Sequence, residues 1–146
     1  MPARDVYHNA VKHALINDGW TITDDPLHLK LGRKDMYIDL GAAQLLAAQK
    51  EEYKIAVEVK TFSGRSEMDD LEKALGQYVL YLDVLTELQP ERLLYLALPI
   101  WAYENLFEEP LGQLLLRNRR LRLIVFQPTQ ESIEQWIPSV WSTGEM

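Results

Sequence analysis

Three side chains able to do chemistry together stand on two short apolar stretches. They are Asp39 in "KDMYIDLGA" (34–42), and Glu58 and Lys60 in "KIAVEVKTFSG" (54–64). Side chains alternate across a strand, so Ile55, Val57 and Val59 share one face while Ala56, Glu58 and Lys60 share the other. By the same rule Met36, Ile38 and Leu40 fall on one face of the earlier stretch, and Asp35, Tyr37 and Asp39 on the opposite one. If the two strands pair with their ends aligned, Asp39 and Glu58 converge. Two carboxylates a few ångströms apart repel one another unless a hard divalent cation such as Mg²⁺ or Mn²⁺ lies between them. Lys60, on the same face as Glu58, is placed to activate water or to stabilise charge on a phosphate. Against this reading, Asp39 could cap a turn or pair with Lys34, and Glu58 and Lys60 could belong to a cross-strand ion network.

The elements that must position these residues follow from hydrophobic periodicity. Residues 3–17 predict a helix with Tyr7, Ala10, Val11, Ala14 and Leu15 on one side and Gly19 just past its end. Residues 20–42 predict three extended pieces, a meander broken at Asp24-Asp25-Pro26 and Gly32-Arg33-Lys34. Residues 43–52 predict a short helix or loop, and 53–60 a strand. Ser66, with Asp69 three residues on, predicts a capped helix to about residue 87 whose buried stripe is Leu71, Ala74, Leu75, Tyr78, Val79 and Leu82. With "RLLYLALP" (92–99) as the next strand, this makes a βαβ unit with parallel strands. Helical segments around 100–107 and 110–118, a strand at 121–126 and a final helix at 130–136 complete an α/β chain.

Composition bounds what such a chain can be. Its 146 residues, 47% of them hydrophobic and 25% charged, suit one domain over 1–146 with an ordinary core. The absence of cysteine excludes disulfides and thiolate metal sites and fits a cytoplasmic location. No run approaches the roughly 18 apolar residues of a membrane span, and the first residues lack a signal peptide's apolar region. A net charge of −7 excludes sequence-blind adhesion to nucleic acid over the whole surface, so any DNA contact must be local. The basic clusters "KLGRK" (30–34) and "RNRRLR" (117–122) read as solvated faces. His8 and His13, five apart, do not share a helical face as metal ligands would. Trp20, Trp101, Trp136 and Trp141 read as core or interface residues. Arg65, in the loop before the helix that starts near Ser66, is a candidate phosphate contact beside a positive helix end. The abundance of apolar and aromatic residues predicts a homodimer or a hetero-complex.

An acid on one strand and an acid-x-Lys on the next, here Asp39 and Glu58-Val59-Lys60, resemble the core signature of the PD-(D/E)XK nuclease superfamily. Ile38 stands where that superfamily often has proline. Gln77 and Tyr81 in "QYVLY" resemble a Gln-x-x-x-Tyr element found in some of its branches. Over nearly the whole chain, "ARDVYHNAVKHALINDGWTITDDP", "YIDLGA", "KIAVEVKTF" and "ALGQYVLY" resemble the XisH family, cyanobacterial controlling factors for excision of a DNA element. The resemblance implies a restriction-endonuclease-like fold, a central mixed β-sheet flanked by helices. It also implies a role in site-specific DNA rearrangement beside a small XisI-like partner. The implied catalytic set is Asp39, Glu58, Lys60 and Gln77, with Mg²⁺ or Mn²⁺ on Asp39 and Glu58. Asp5, Tyr81 and Arg65 are secondary candidates, Asp5 because related nucleases often carry another acid on the first helix. The alternative is a DNA- or partner-binding accessory protein without catalysis, serving a separate recombinase.

Overall fold

Strand pairing between distant segments decides the architecture of the computed structural model, which describes residues 5–46 and 51–139. Helix α1 spans His8–Asn17, and strands β1 (Thr21–Asp24), β2 (Leu27–Leu31), β3 (Lys34–Ile38), β4 (Leu40–Leu46) and β5 (Glu51–Val59) follow. Next come α2 (Glu67–Leu88), β6 (Arg92–Pro99), the short α3 (Ile100–Ala102), a π-helical turn (Tyr103–Phe107), α4 (Pro110–Arg117), β7 (Leu123–Gln127) and β8 (Ser132–Ile137). Six strands form one sheet in the order β1-β4-β5-β6-β7-β8, and β2 with β3 forms a separate hairpin. β5, β6 and β7 run parallel while the flanking pairs are antiparallel, giving a central mixed sheet. Among the described residues no helix is long and apolar enough to cross a membrane.

Each sheet face buries its own core. Ile55, Val57 and Val59 pack with Val11 and Leu15 of α1, while Ala56, Leu94, Leu96 and Leu98 pack beneath α2 with Leu71, Ala74, Tyr78 and Leu85. The predicted βαβ unit is present, with β5 and β6 parallel and Glu58 level with Leu96. Ser66 caps α2, its side chain accepting a hydrogen bond from the backbone N–H of Asp69 at 3.1 Å. At the other edge, Arg92 ties the first strands to the sheet. Its guanidinium donates to the carbonyl of Ile55 at 2.8 Å and pairs with Asp24 at 3.1 Å. Only glycine at 41 leaves room for that pair, because a Cβ there would stand 2.7 Å from the Asp24 carboxylate.

The structure departs from the sequence expectation at five places. Asp5 precedes α1 rather than lying on it, since the helix begins at His8; residues 3 and 4 of the expected helix lie outside the described residues. Residues 43–46 in β4 and 51–52 in β5 are paired strand where a helix or loop was expected over 43–52, and residues 47–50 lie outside the described residues. The expected single meander divides: β1 joins the main sheet, whereas β2 and β3 pair only with each other. Ile38 and Leu40 consequently enter opposite cores, because the chain changes sheets at Asp39. On α2, Val79 and Leu82 face outward and Val84 and Leu85 are buried instead.

The last difference has a specific cause. Residues 132–137 form β8, not a helix, and its register slips where Phe126 meets Ile133 but Val125 meets Gln135. Glu134 is the extra residue of a β-bulge, so Ile133 and Trp136, three apart, come to pack on the same core. That spacing imitates a helical period.

Candidate carboxylate site

The change of sheets at Asp39 is what builds the site. Leu40 pairs with Val57, which sets Asp39 level with Glu58 at the point where β4 begins. Each residue then holds the other through the backbone. The amide of Asp39 donates to Glu58 Oε1 at 3.2 Å, and the amide of Val59 donates to Asp39 Oδ2 at 2.8 Å. Two side chains are thereby fixed by two peptide groups, whose positions the strand pairing dictates.

Burial and mutual repulsion set the electrostatics. Burial first, and the neighbouring Asp39 charge second, push the Glu58 carboxyl up to about 9, while Lys60 pulls the other way. The Asp39 carboxyl is also raised, by burial and by the charge of Asp5, against the opposing hydrogen bond from Val59. Both shifts run the same way, because burial and like charge together disfavour ionising the two carboxyls at once. Lys60 hydrogen-bonds through its backbone amide to the carbonyl of Ala97 at 2.9 Å and forms no ion pair among the described residues.

Helix α2 supplies a third wall. Gln77 Nε2 donates to the Tyr81 hydroxyl at 3.2 Å, and the Tyr81 hydroxyl is raised above its ordinary value by burial and then by the charges of Glu58 and Asp39. Tyr81, and through it Gln77, thus stands near Asp39 and Glu58, and the charge of Lys60 acts on Glu58. Asp5 stands at the margin with both carboxylate oxygens engaged. Oδ2 accepts from the Thr61 amide at 3.0 Å, and Oδ1 accepts from the Tyr7 amide at 3.0 Å and from the Thr61 hydroxyl. Arg65 is exposed in the loop between β5 and α2.

Sequence reasoning missed what latches this corner together. Thr61 and His8 are the buried polar residues among those described. Thr61 binds Asp5, and His8 Nε2 lies 2.7 Å from Asp25 Oδ1, with the Lys12 ammonium 2.7 Å from Oδ2 of the same carboxylate. Burial alone would raise the Asp25 carboxyl, but the hydrogen bonds of Lys12 and His8 outweigh it and hold it below the ordinary range. Phe62, buried just after Thr61, has a left-handed backbone with φ 61°. No local pattern announces these contacts, since Asp5 and Thr61 are 56 residues apart.

The donor set fits a hard dication of the Mg²⁺ kind. Both donors are carboxylates, they are fixed before binding, and their repulsion would be relieved by a positive charge. Among the described residues no group of three or more His, Cys, Asp or Glu side chains is gathered so as to hold a metal ion. An ion held by two carboxylates keeps the rest of its shell for water and substrate phosphate.

Fold and site define a class: a mixed-sheet α/β protein that presents a bracketed carboxylate pair and a lysine at the end of a sheet strand. Within it, the chain belongs to the XisH family, whose model, described as XisH protein, matches residues 1–134. The crystal structure of an XisH family protein from Nostoc punctiforme is 37% identical with a TM-score of 0.81, covering 91% of this chain and 99% of that one. That of an fdxN element excision controlling factor protein from Anabaena variabilis is 38% identical with a TM-score of 0.81, covering 92% and 99%. Among curated proteins none matches.

Proposed function

We propose that this protein acts in excision of a DNA element through a metal-dependent site of the PD-(D/E)XK nuclease type, on a restriction-endonuclease-like fold. One observation carries the reading: the reciprocal amide hydrogen bonds that hold Asp39 and Glu58 side by side. Keeping two buried carboxyls side by side costs stability, which a bound cation would offset. The name of the Anabaena variabilis relative supports the DNA-element context.

In this reading Asp39 and Glu58 would hold Mg²⁺ or Mn²⁺. The bound ion would supply a Lewis acid and lower the pKa of a coordinated water. Lys60, free of ion pairs among the described residues, orients the attacking water and stabilises charge on the phosphate. Gln77, aligned by its bond to Tyr81, contacts the strand at the rim, and Arg65 reaches a flanking phosphate. Asp5 keeps the Lys60–Thr61 turn in place. The net charge of −7 favours a second reading, an accessory factor that binds a recombinase or an XisI-like partner and cuts nothing. A homodimer or hetero-complex is proposed in either case.

The deciding experiment incubates the purified protein with duplex, branched and single-stranded DNA plus Mg²⁺ or Mn²⁺, with and without the partner. Metal-dependent cleavage lost in Asp39→Ala, Glu58→Ala and Lys60→Ala supports the nuclease. No cleavage in any condition, with excision in cells intact in all three variants, supports the accessory factor.

A further inference from the structure

Helix α2 separates the carboxylate site from a cleft of about 380 Å³ on its other flank. At about 100° per residue, Gln77 and Tyr81 lie on one side of the helix, and Tyr78 and Leu82 lie about 100° further round. Leu82, Leu116, Leu121, Ile137 and Pro138 give the cleft apolar walls. The Tyr78 hydroxyl is already committed, donating to the Leu94 carbonyl at 2.8 Å and accepting from the Arg122 amide at 3.1 Å.

Three arginines, Arg119, Arg120 and Arg122, line the same cleft. None of them forms an ion pair among the described residues, although the chain carries 22 acidic side chains against 15 Lys and Arg; the Arg122 side chain acts on the buried Tyr95 hydroxyl, which leaves Arg119 and Arg120 for a ligand. The backbone adds a second observation. At the end of α4 the amide of Arg120 bonds the Leu115 carbonyl and that of Arg119 bonds the Leu116 carbonyl, both at 3.0 Å. These are the two bonds of a Schellman motif, and they place Arg119 at the left-handed position, φ 57°, where glycine is favoured. An arginine kept there works against the backbone preference. The helix dipole welcomes one cation at this end but does not account for two.

We propose that this cleft is a second ligand site for a phosphomonoester of nucleotide size, with the Arg119 and Arg120 guanidiniums on the phosphate and the apolar walls against the nucleoside. A single carboxylate would leave one guanidinium unanswered. A phosphomonoester brings nearly two charges and three acceptor oxygens, which the planar guanidinium fork matches. The volume lies within the range of small-ligand pockets, roughly 300–1,000 Å³. The phosphate can come from a free mononucleotide or from the phosphorylated end of a nucleic-acid strand.

Calorimetric titration of the full chain in metal-free buffer tests this. The probes are adenosine 5′-monophosphate, adenosine, inorganic phosphate, and a single-stranded oligonucleotide with and without a 5′-phosphate. Saturable binding of the monophosphate is expected, with adenosine and inorganic phosphate each much weaker. Arg120→Ala and Arg119→Gly should each weaken it by roughly tenfold, a loss of the size expected for a charge-assisted contact. Arg119→Gly suits the left-handed backbone, so a folding defect cannot explain its loss. Asp39→Asn should bind as wild type, which separates this site from the carboxylate pair. Equal competition by the 5′-phosphorylated oligonucleotide, but not its unphosphorylated form, assigns the source to a strand end; no competition assigns it to a free nucleotide. Binding that survives the arginine variants or disappears in Asp39→Asn overturns the proposal, as does tighter binding of a phosphate-free acidic peptide.

Discussion

The two flanks of α2 place their charges by different means. On one, Asp39 and Glu58 sit where two strands pair, each held by a peptide amide of the other's segment. On the other, Arg119, Arg120 and Arg122 follow a helix end and meet walls drawn from α2, α4 and β8. The first arrangement is acidic, buried and fixed by register; the second is basic, more open and fixed by a turn. A charge pair set by strand register is readable from short sequence segments. A cluster set by the meeting of a turn with distant elements is not.

The largest effect that could break the contrast concerns Lys60. In the nuclease reading, Lys60→Met lowers cleavage by about a hundredfold or more while leaving metal affinity nearly unchanged, because the amine serves water and phosphate. Single-turnover cleavage alongside Mn²⁺ titration checks this. Equal losses in both would make Lys60 part of the cation shell.

The next effect is a pH dependence. Glu58 has a folded pKa of about 9, above its ordinary 4.5, so the folded metal-free protein binds more protons than the unfolded chain between those values. Stability must therefore be greatest near the lower value and fall as pH rises toward the upper one. Glu58→Gln should flatten that slope and stabilise the metal-free protein at pH 8 by roughly 1–3 kcal/mol. Denaturant unfolding at several pH values measures it; an unchanged slope would remove the carboxylate repulsion from the account.

Thr61→Val removes the hydroxyl's hydrogen bond to the Asp5 carboxylate, leaves the one donated by the residue 61 amide, and should cost about 1–3 kcal/mol. It should also weaken metal binding, by loosening the turn after Lys60. A stability loss with unaltered metal affinity would make Asp5 and Thr61 a structural latch alone. The smallest effect is on the basic flank. Arg119→Gly should raise stability by about 0.5–1 kcal/mol, since glycine accepts the left-handed backbone freely. Thermal unfolding that shows a loss instead would mean that the arginine side chain makes a stabilising contact.

How much could be read beforehand follows from the same distinction. The βαβ unit, the Ser66 cap and the level placement of Asp39 and Glu58 all rest on alternation or short spacings, and each is present in the fold. β8 escaped because the bulge at Glu134 gave a strand the spacing of a helix. The split at Asp39 escaped because alternation assumes a continuous strand, whereas the chain leaves one sheet for another there. Asp5 with Thr61, and His8 with Asp25, escaped because nothing local links residues 56 and 17 positions apart. The cleft beside "RNRRLR" escaped for the same reason, its walls coming from three separate elements.

The central claim, that Asp39 and Glu58 are held together to take a cation, is tested most directly by Mn²⁺ titration with thermal unfolding of wild type, Asp39→Asn and Glu58→Gln. A ligand that binds the folded state stabilises it by mass action. The account predicts that wild type melts below both variants without metal and gains several degrees with millimolar Mn²⁺, while neither variant gains. Equal Mn²⁺ effects on all three proteins, or none on wild type, would contradict it.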